Sequence, residues 1–109
     1  MKIAQHPFET INWINIDKVK HSGENGFAIW QTITMGDIRI RMVEYSAGYT
    51  ADHWCNKGHV IYCIKGKMKT ELQDGRIMKM KKGITYHVGD DSMGHRSTSK
   101  KGCKLFIVD

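Results

Sequence analysis

An all-β sandwich or barrel is the fold class the sequence predicts, and three observations predict it. Short segments rich in branched and aromatic residues recur along the chain. Turn formers separate them at close intervals. Helical periodicity is scarce, with no long window that carries apolar positions at three- and four-residue spacing behind a cap. At 109 residues the chain has room for one domain, and its 40% hydrophobic content supplies a core and argues against disorder.

Taken in order, residues 1–26 read as an amino-terminal segment that packs on the barrel or on a partner subunit. Ile11, Trp13 and Ile14 are its apolar residues, followed by a polar stretch over 18–25. Residues 27–109 read as the barrel itself. Strands are expected at 27–35, 37–45, 60–65, 67–73, 77–80, 85–88 and 103–108. The turns between them fall at Gly36, Gly48, Lys65-Gly66, Asp74-Gly75, Gly83, 89–94 and Gly102. Asp74-Gly75 is the firmest, because both residues tolerate the positive φ of a tight hairpin. Trp13 and Trp30 are expected to pack in the core or at its rim.

Composition excludes several functional classes. No apolar run approaches the roughly 20 residues of a membrane helix, and residues 1–10 lack the apolar stretch of a secretion signal, so a cytoplasmic protein without a membrane partner is expected. Three cysteines, Cys55, Cys63 and Cys103, none in a CxxC pair, suggest reduced thiols and not a disulfide scaffold. The net charge of +6 comes largely from lysines spread over strand and turn positions. Without a recognition helix or aromatics interleaved with arginine it reads as a solvated face, and no nucleic-acid partner is expected.

The chemistry concentrates between Gly48 and His59. His53, Cys55 and His59 stand at i, i+2 and i+6. Side chains alternate along an extended chain, so the first two share a face. A bend over 56–58 would return His59 to meet them. Single buried histidines and cysteines are ordinary core residues. A thiolate with neutral imidazoles at one strand junction is different, because burying them is offset directly by a cation.

The span from Gly48 to Gly66 resembles the first motif of the cupin superfamily, in which a glycine precedes a His-x-His pair, an acid follows, and a glycine closes the next strand. His53 and Cys55 stand at the paired positions and His59 at that of the acid. The segment from Gly83 to His95 is similar to the second cupin motif, and the resemblance makes His95 the fourth ligand. Its turn, 89–94, lacks the usual proline and is one residue longer. The Asp52-His53-Trp54-Cys55 run resembles more closely a group of small bacterial cupins named for an Asp, His, Cys and Trp motif. The resemblance implies a single-domain cupin, a double-stranded β-helix or jelly-roll barrel, that pairs as a homodimer.

Replacing the second histidine by Cys55 and the acid by His59 makes a softer donor set. It favours one divalent transition metal, such as zinc, iron, nickel or copper, over magnesium or calcium. Four bound ligands would close a tetrahedral zinc site, whereas an open position would suit catalysis. Tyr86 lies on the strand before His95, where some cupins place a tyrosine used at the metal; it is a candidate catalytic residue, with a core tyrosine as the alternative. Arg41, Trp54, Cys63 and Arg96 are candidate contacts for a small-molecule ligand. Arg39 and Arg41 share one strand face, yet Ile38, Ile40 and Met42 on the other mark that other face as the buried one. The functional expectation is a metal-dependent enzyme acting on a small polar molecule. A non-catalytic metal-containing module and a metal-free binder are the alternatives.

Overall fold

A computed structural model describes residues 2–109. A 3-10 turn, Trp13–Asn15, precedes nine strands: β1 (Val19–Ser22), β2 (Phe27–Met35), β3 (Ile38–Tyr45), β4 (Tyr49–Thr50), β5 (His59–Leu72), β6 (Ile77–Lys81), β7 (Thr85–Val88), β8 (His95–Ser99) and β9 (Cys103–Val108). All pairings are antiparallel, in the order β1-β2-β3-β9-β5-β8-β4, with β6 and β7 also on β5. The result is a jelly-roll barrel. Among the described residues no helix is long and apolar enough to cross a membrane.

The two strands expected at 60–65 and 67–73 are one. β5 runs through Lys65-Gly66, which is a bulge and not a turn: its first half pairs with β7 and β9, its second with β6 and β8. The register shifts between Cys63 and Lys65, and such an extra residue bends a strand and sharpens its twist. Gly66 takes φ +79° there, and a Cβ on it would lie 2.5 Å from the carbonyl oxygen of Gly102. Gly66→Ala is therefore expected to lose about 2 kcal/mol or more in a urea unfolding curve; a loss below about 0.5 kcal/mol would mean that the bulge tolerates a side chain.

Three strands have no counterpart among the sequence expectations. β1 and β4 are short and largely polar, and β8, His95-Arg-Ser-Thr-Ser99, contains no aliphatic residue. Its alternate residues His95, Ser97 and Ser99 are nevertheless buried. Their burial serves the site and hydrogen bonding, as in the bond of the Ser99 hydroxyl to the Lys67 carbonyl (2.6 Å).

Cross-strand register assigns the faces. Val43, Leu105 and Cys63 sit side by side on β3, β9 and β5, and Arg41, Ile107, Ile61 and Tyr86 form the next inner row. Leu105 and Cys63 are fully buried. Arg41 thus points inward, contrary to the parity expectation for β3. Ile40 and Met42 lie on the outer face, in rows with Val108 and Val60 and with Phe106 and Tyr62. The apolar period misled because the outer face is apolar as well. The amino-terminal segment is tied beside it: Gln31, opposite Met42, donates from Nε2 to the carbonyls of Trp13 (2.6 Å) and Ile16 (2.9 Å).

Candidate metal centre

Cys55 and His95 are joined as a hydrogen-bonded antiparallel pair. The Cys55 amide donates to the His95 carbonyl (2.8 Å), and the His95 amide donates back (3.0 Å). Such paired residues put their side chains on one face. His59 opens β5 across from them. The loop between Cys55 and β5 is held against the turn before β8: the Gly58 amide donates to Asp90 Oδ1 (2.6 Å) and the Asp91 amide to the Asn56 carbonyl (2.8 Å). A Cβ at Gly58 would lie 2.6 Å from the Asp90 nitrogen, so only glycine permits this approach.

The ligand atoms of Cys55, His59 and His95 all lie within 4.8 Å of one another, a group that could hold a metal ion. The hydrogen bonds around the rings determine what they present. His59 Nδ1 faces the Asp109 carboxylate (3.1 Å) and His95 Nδ1 faces the Met93 carbonyl (2.9 Å). Both partners accept, so each Nδ1 carries the proton and each Nε2 turns a lone pair to the centre. The two Nε2 atoms stand 2.7 Å apart. Two lone pairs at that separation repel unless a cation, a proton or a metal ion, lies between them.

The thiol agrees with this arrangement. When the facing ring nitrogens carry a proton in place of a metal ion, hydrogen bonds from His59, then His95, pull the Cys55 pKa down to about 5 against the opposing effect of burial. Burial works against charge on His59, but its bonds to Asp109 and Cys55 prevail and raise it. Burial also works against the Asp109 carboxylate. Hydrogen bonds from His59 and Arg39 and the charge of Arg41 outweigh it and hold the group well below the ordinary carboxylate range. Asp109, its side chain fully buried, receives Arg39 Nε (3.0 Å) and Arg41 Nη2 (2.8 Å) as well as His59. A carboxylate behind a ligating imidazole fixes its tautomer and orientation.

A cavity of about 140 Å³ opens beside the cluster, lined by Cys55, His59 and His95 together with Trp30, Arg41 and Tyr86 among others. Tyr86 presents its ring at 6.2 Å from His59 and 6.1 Å from His95, edge to face. Burial, then the charge of Cys55, raises its pKa, so its hydroxyl keeps its proton.

The remaining sequence candidates divide. His53 borders the cavity but lies outside the three-residue cluster: its side chain is 73% exposed and its Nδ1 is bonded to Asp52 (2.6 Å). Residues 52–53 bend, so strand alternation does not carry from Cys55 back to His53. Arg96 lines the cavity with its charge paired to Glu24. Cys63 is in the apolar core, donating to the carbonyls of Lys65 and Gly66, and Trp54 is half-buried beside the cavity lining and not part of it. Trp30 packs against the core as expected, and also faces the cavity beneath Arg41. Asp109 was missed, although it continues the inner alternation of Leu105 and Ile107 by one further step.

No protein-family model matches the sequence, and no curated protein matches it. Solved structures do. An RmlC-like cupin from Shewanella frigidimarina superposes with a TM-score of 0.72 at 16% identity, over 96% of this chain and 92% of that one. A predicted oxalate decarboxylase from Thermotoga maritima gives 0.77 at 11% identity, over 92% and 96%. Fe(II)-HppE, crystallised with an alternative substrate, gives 0.74 at 12% identity, over 94% of this chain and 60% of that one. From the strand order, the inward site between β5 and β8 and these superpositions, it follows that this chain has the cupin fold.

Proposed function

We propose that the chain is a metal-dependent cupin enzyme acting on a small polar molecule, with one divalent transition metal, zinc, iron or nickel, held by Cys55, His59 and His95. The observation that carries this reading is the pair of Nε2 lone pairs 2.7 Å apart, each enforced by an acceptor behind its ring, beside the Cys55 sulfur. The donor set, two imidazoles and a thiolate, fits such an ion and does not fit magnesium or calcium. Three converging donors leave a further position facing the cavity, which favours an enzyme over a closed four-ligand module. His53, whose Nδ1 is bonded to Asp52, would complete a closed site only by swinging its exposed ring into the cluster.

A bound metal would supply Lewis acidity toward an oxygen of the ligand. The chain does the rest. Asp109 holds His59 in the ligating tautomer, and the Met93 carbonyl does the same for His95. Tyr86, protonated and beside both rings, is placed to donate its hydroxyl proton to a bound ligand. The Asp52-His53-Trp54-Cys55 run supports membership of the small bacterial cupins with that motif. Three free cysteines suit a reducing cytoplasm. The exposed Val60 and Tyr62, in register with Val108 and Phe106, offer an apolar face for a homodimer.

Elemental analysis of untagged protein purified without chelator tests the reading. About one equivalent of transition metal per chain is expected, falling below a tenth in a His59→Ala, His95→Ala variant and near to wild type in His53→Ala. Wild-type protein free of metal after exposure to zinc, iron and nickel would overturn it.

A further inference from the structure

Arg41 is the least expected residue of the cavity. It is 5% exposed, on the inner face of β3, where a charge is costly to bury. Burial lowers its pKa, and Asp109 opposes that effect. A guanidinium has five N–H donors, yet this one makes a single hydrogen bond to the protein, from Nη2 to Asp109. Its Nε is buried without any acceptor. The group lies over the Trp30 ring, 4.4 Å from the centroid, within cation–π range.

The charges around it do not cancel. The one carboxylate side chain beside Arg41, that of Asp109, is shared by Arg39, Arg41 and His59. Of the other arginines on the cavity wall, Arg96 is already matched by Glu24, and Arg39 takes its share of Asp109. The cavity therefore presents a planar, incompletely paired cation on one wall and the Cys55, His59 and His95 cluster on another. Its volume of about 140 Å³ is close to that of engineered cavities that take benzene. A ligand of roughly six to eight non-hydrogen atoms fits that space.

We infer that the cavity binds a small carboxylate, whose carboxylate group pairs with the Arg41 guanidinium over Trp30 while its other end faces the Cys55, His59 and His95 cluster. The inference deepens the metal-enzyme reading and rests on it for what lies at the far end of the ligand. Arg41 in turn does not depend on the metal to prefer an anion, since planar bidentate pairing with a carboxylate is its own property.

The test is calorimetric titration with malonate, with its neutral isostere malonamide, and with inorganic phosphate. Each is added to metal-loaded and to metal-free wild-type protein, and to a metal-loaded Arg41→Gln variant whose folding is checked by circular dichroism. Malonate is expected to bind at least tenfold more tightly than malonamide to both wild-type forms, and Arg41→Gln is expected to lose that preference at unchanged metal content. Equal binding of malonate and malonamide to metal-free wild type would overturn the inference, as would a preference retained in the variant. Phosphate binding as tightly as malonate would overturn the assignment to carboxylates. If Arg41→Gln does not fold, the metal-free wild-type comparison decides alone. Elemental analysis of the same wild-type samples separates the two readings: a chain that takes up no metal but still prefers malonate sinks the enzyme proposal and leaves the arginine site standing.

Discussion

Asp109→Ala is expected to destabilise the fold by about 3–5 kcal/mol, the usual cost of removing one partner from a buried ion pair. Its carboxylate is fully buried, and three groups depend on it: Arg39, Arg41 and His59. Without it the Arg41 guanidinium keeps no hydrogen bond to the protein and stays beside Arg39 on the same inner face. Asp109→Asn, which retains the shape and one acceptor, is expected to lose less. Urea unfolding monitored by tryptophan fluorescence measures both. The alanine variant should also bind metal roughly 10–100-fold more weakly, because His59 loses the acceptor that fixes its tautomer. A loss of stability under about 1 kcal/mol would show that the arginines find other partners, and that Asp109 does not anchor the network.

Removing the metal should have the second large effect. An ion that binds the folded chain and not the unfolded one stabilises it by about 2.7 kcal/mol at a hundred times its dissociation constant. In a domain of this size that corresponds to a fall of roughly 10–20 °C in Tm when a chelator strips the site. The cluster joins Cys55 and the start of β5 at His59 to the start of β8 at His95, so a bound ion would cross-link segments far apart in sequence. In the His59→Ala, His95→Ala variant the chelator should leave Tm unchanged. Equal Tm for the wild-type protein with and without chelator, at metal concentrations well above saturation, would remove the structural contribution assigned to the ion.

What could be read from the sequence follows the range of each signal. β2, β7 and β9 lie where branched and aromatic residues predict them, because strand formation there needs only local propensity and the turn residues at each end. β8 escaped because its inward residues are His95, Ser97 and Ser99, whose burial depends on what stands opposite them. The direction of β3 was misjudged because period two tells that two faces differ and not which one encloses the site. With Arg41 bonded to Asp109 and seated on Trp30, the charged face is the interior one.

The sequence by itself determined an all-β chain in which Cys55 and His59 stand close together beside a strand start. Periodicity, turn chemistry and spacing are properties of neighbouring residues, and they survive without knowledge of the fold. His95 was named as a ligand by resemblance to the second cupin motif; only the tertiary structure showed that it meets Cys55 by backbone pairing, that His53 stays exposed beside Asp52, and that Asp109 closes the network behind His59. Each of those depends on registers and bends that bring together segments up to 50 positions apart, and the energy of a buried charge is set by the partners it meets there.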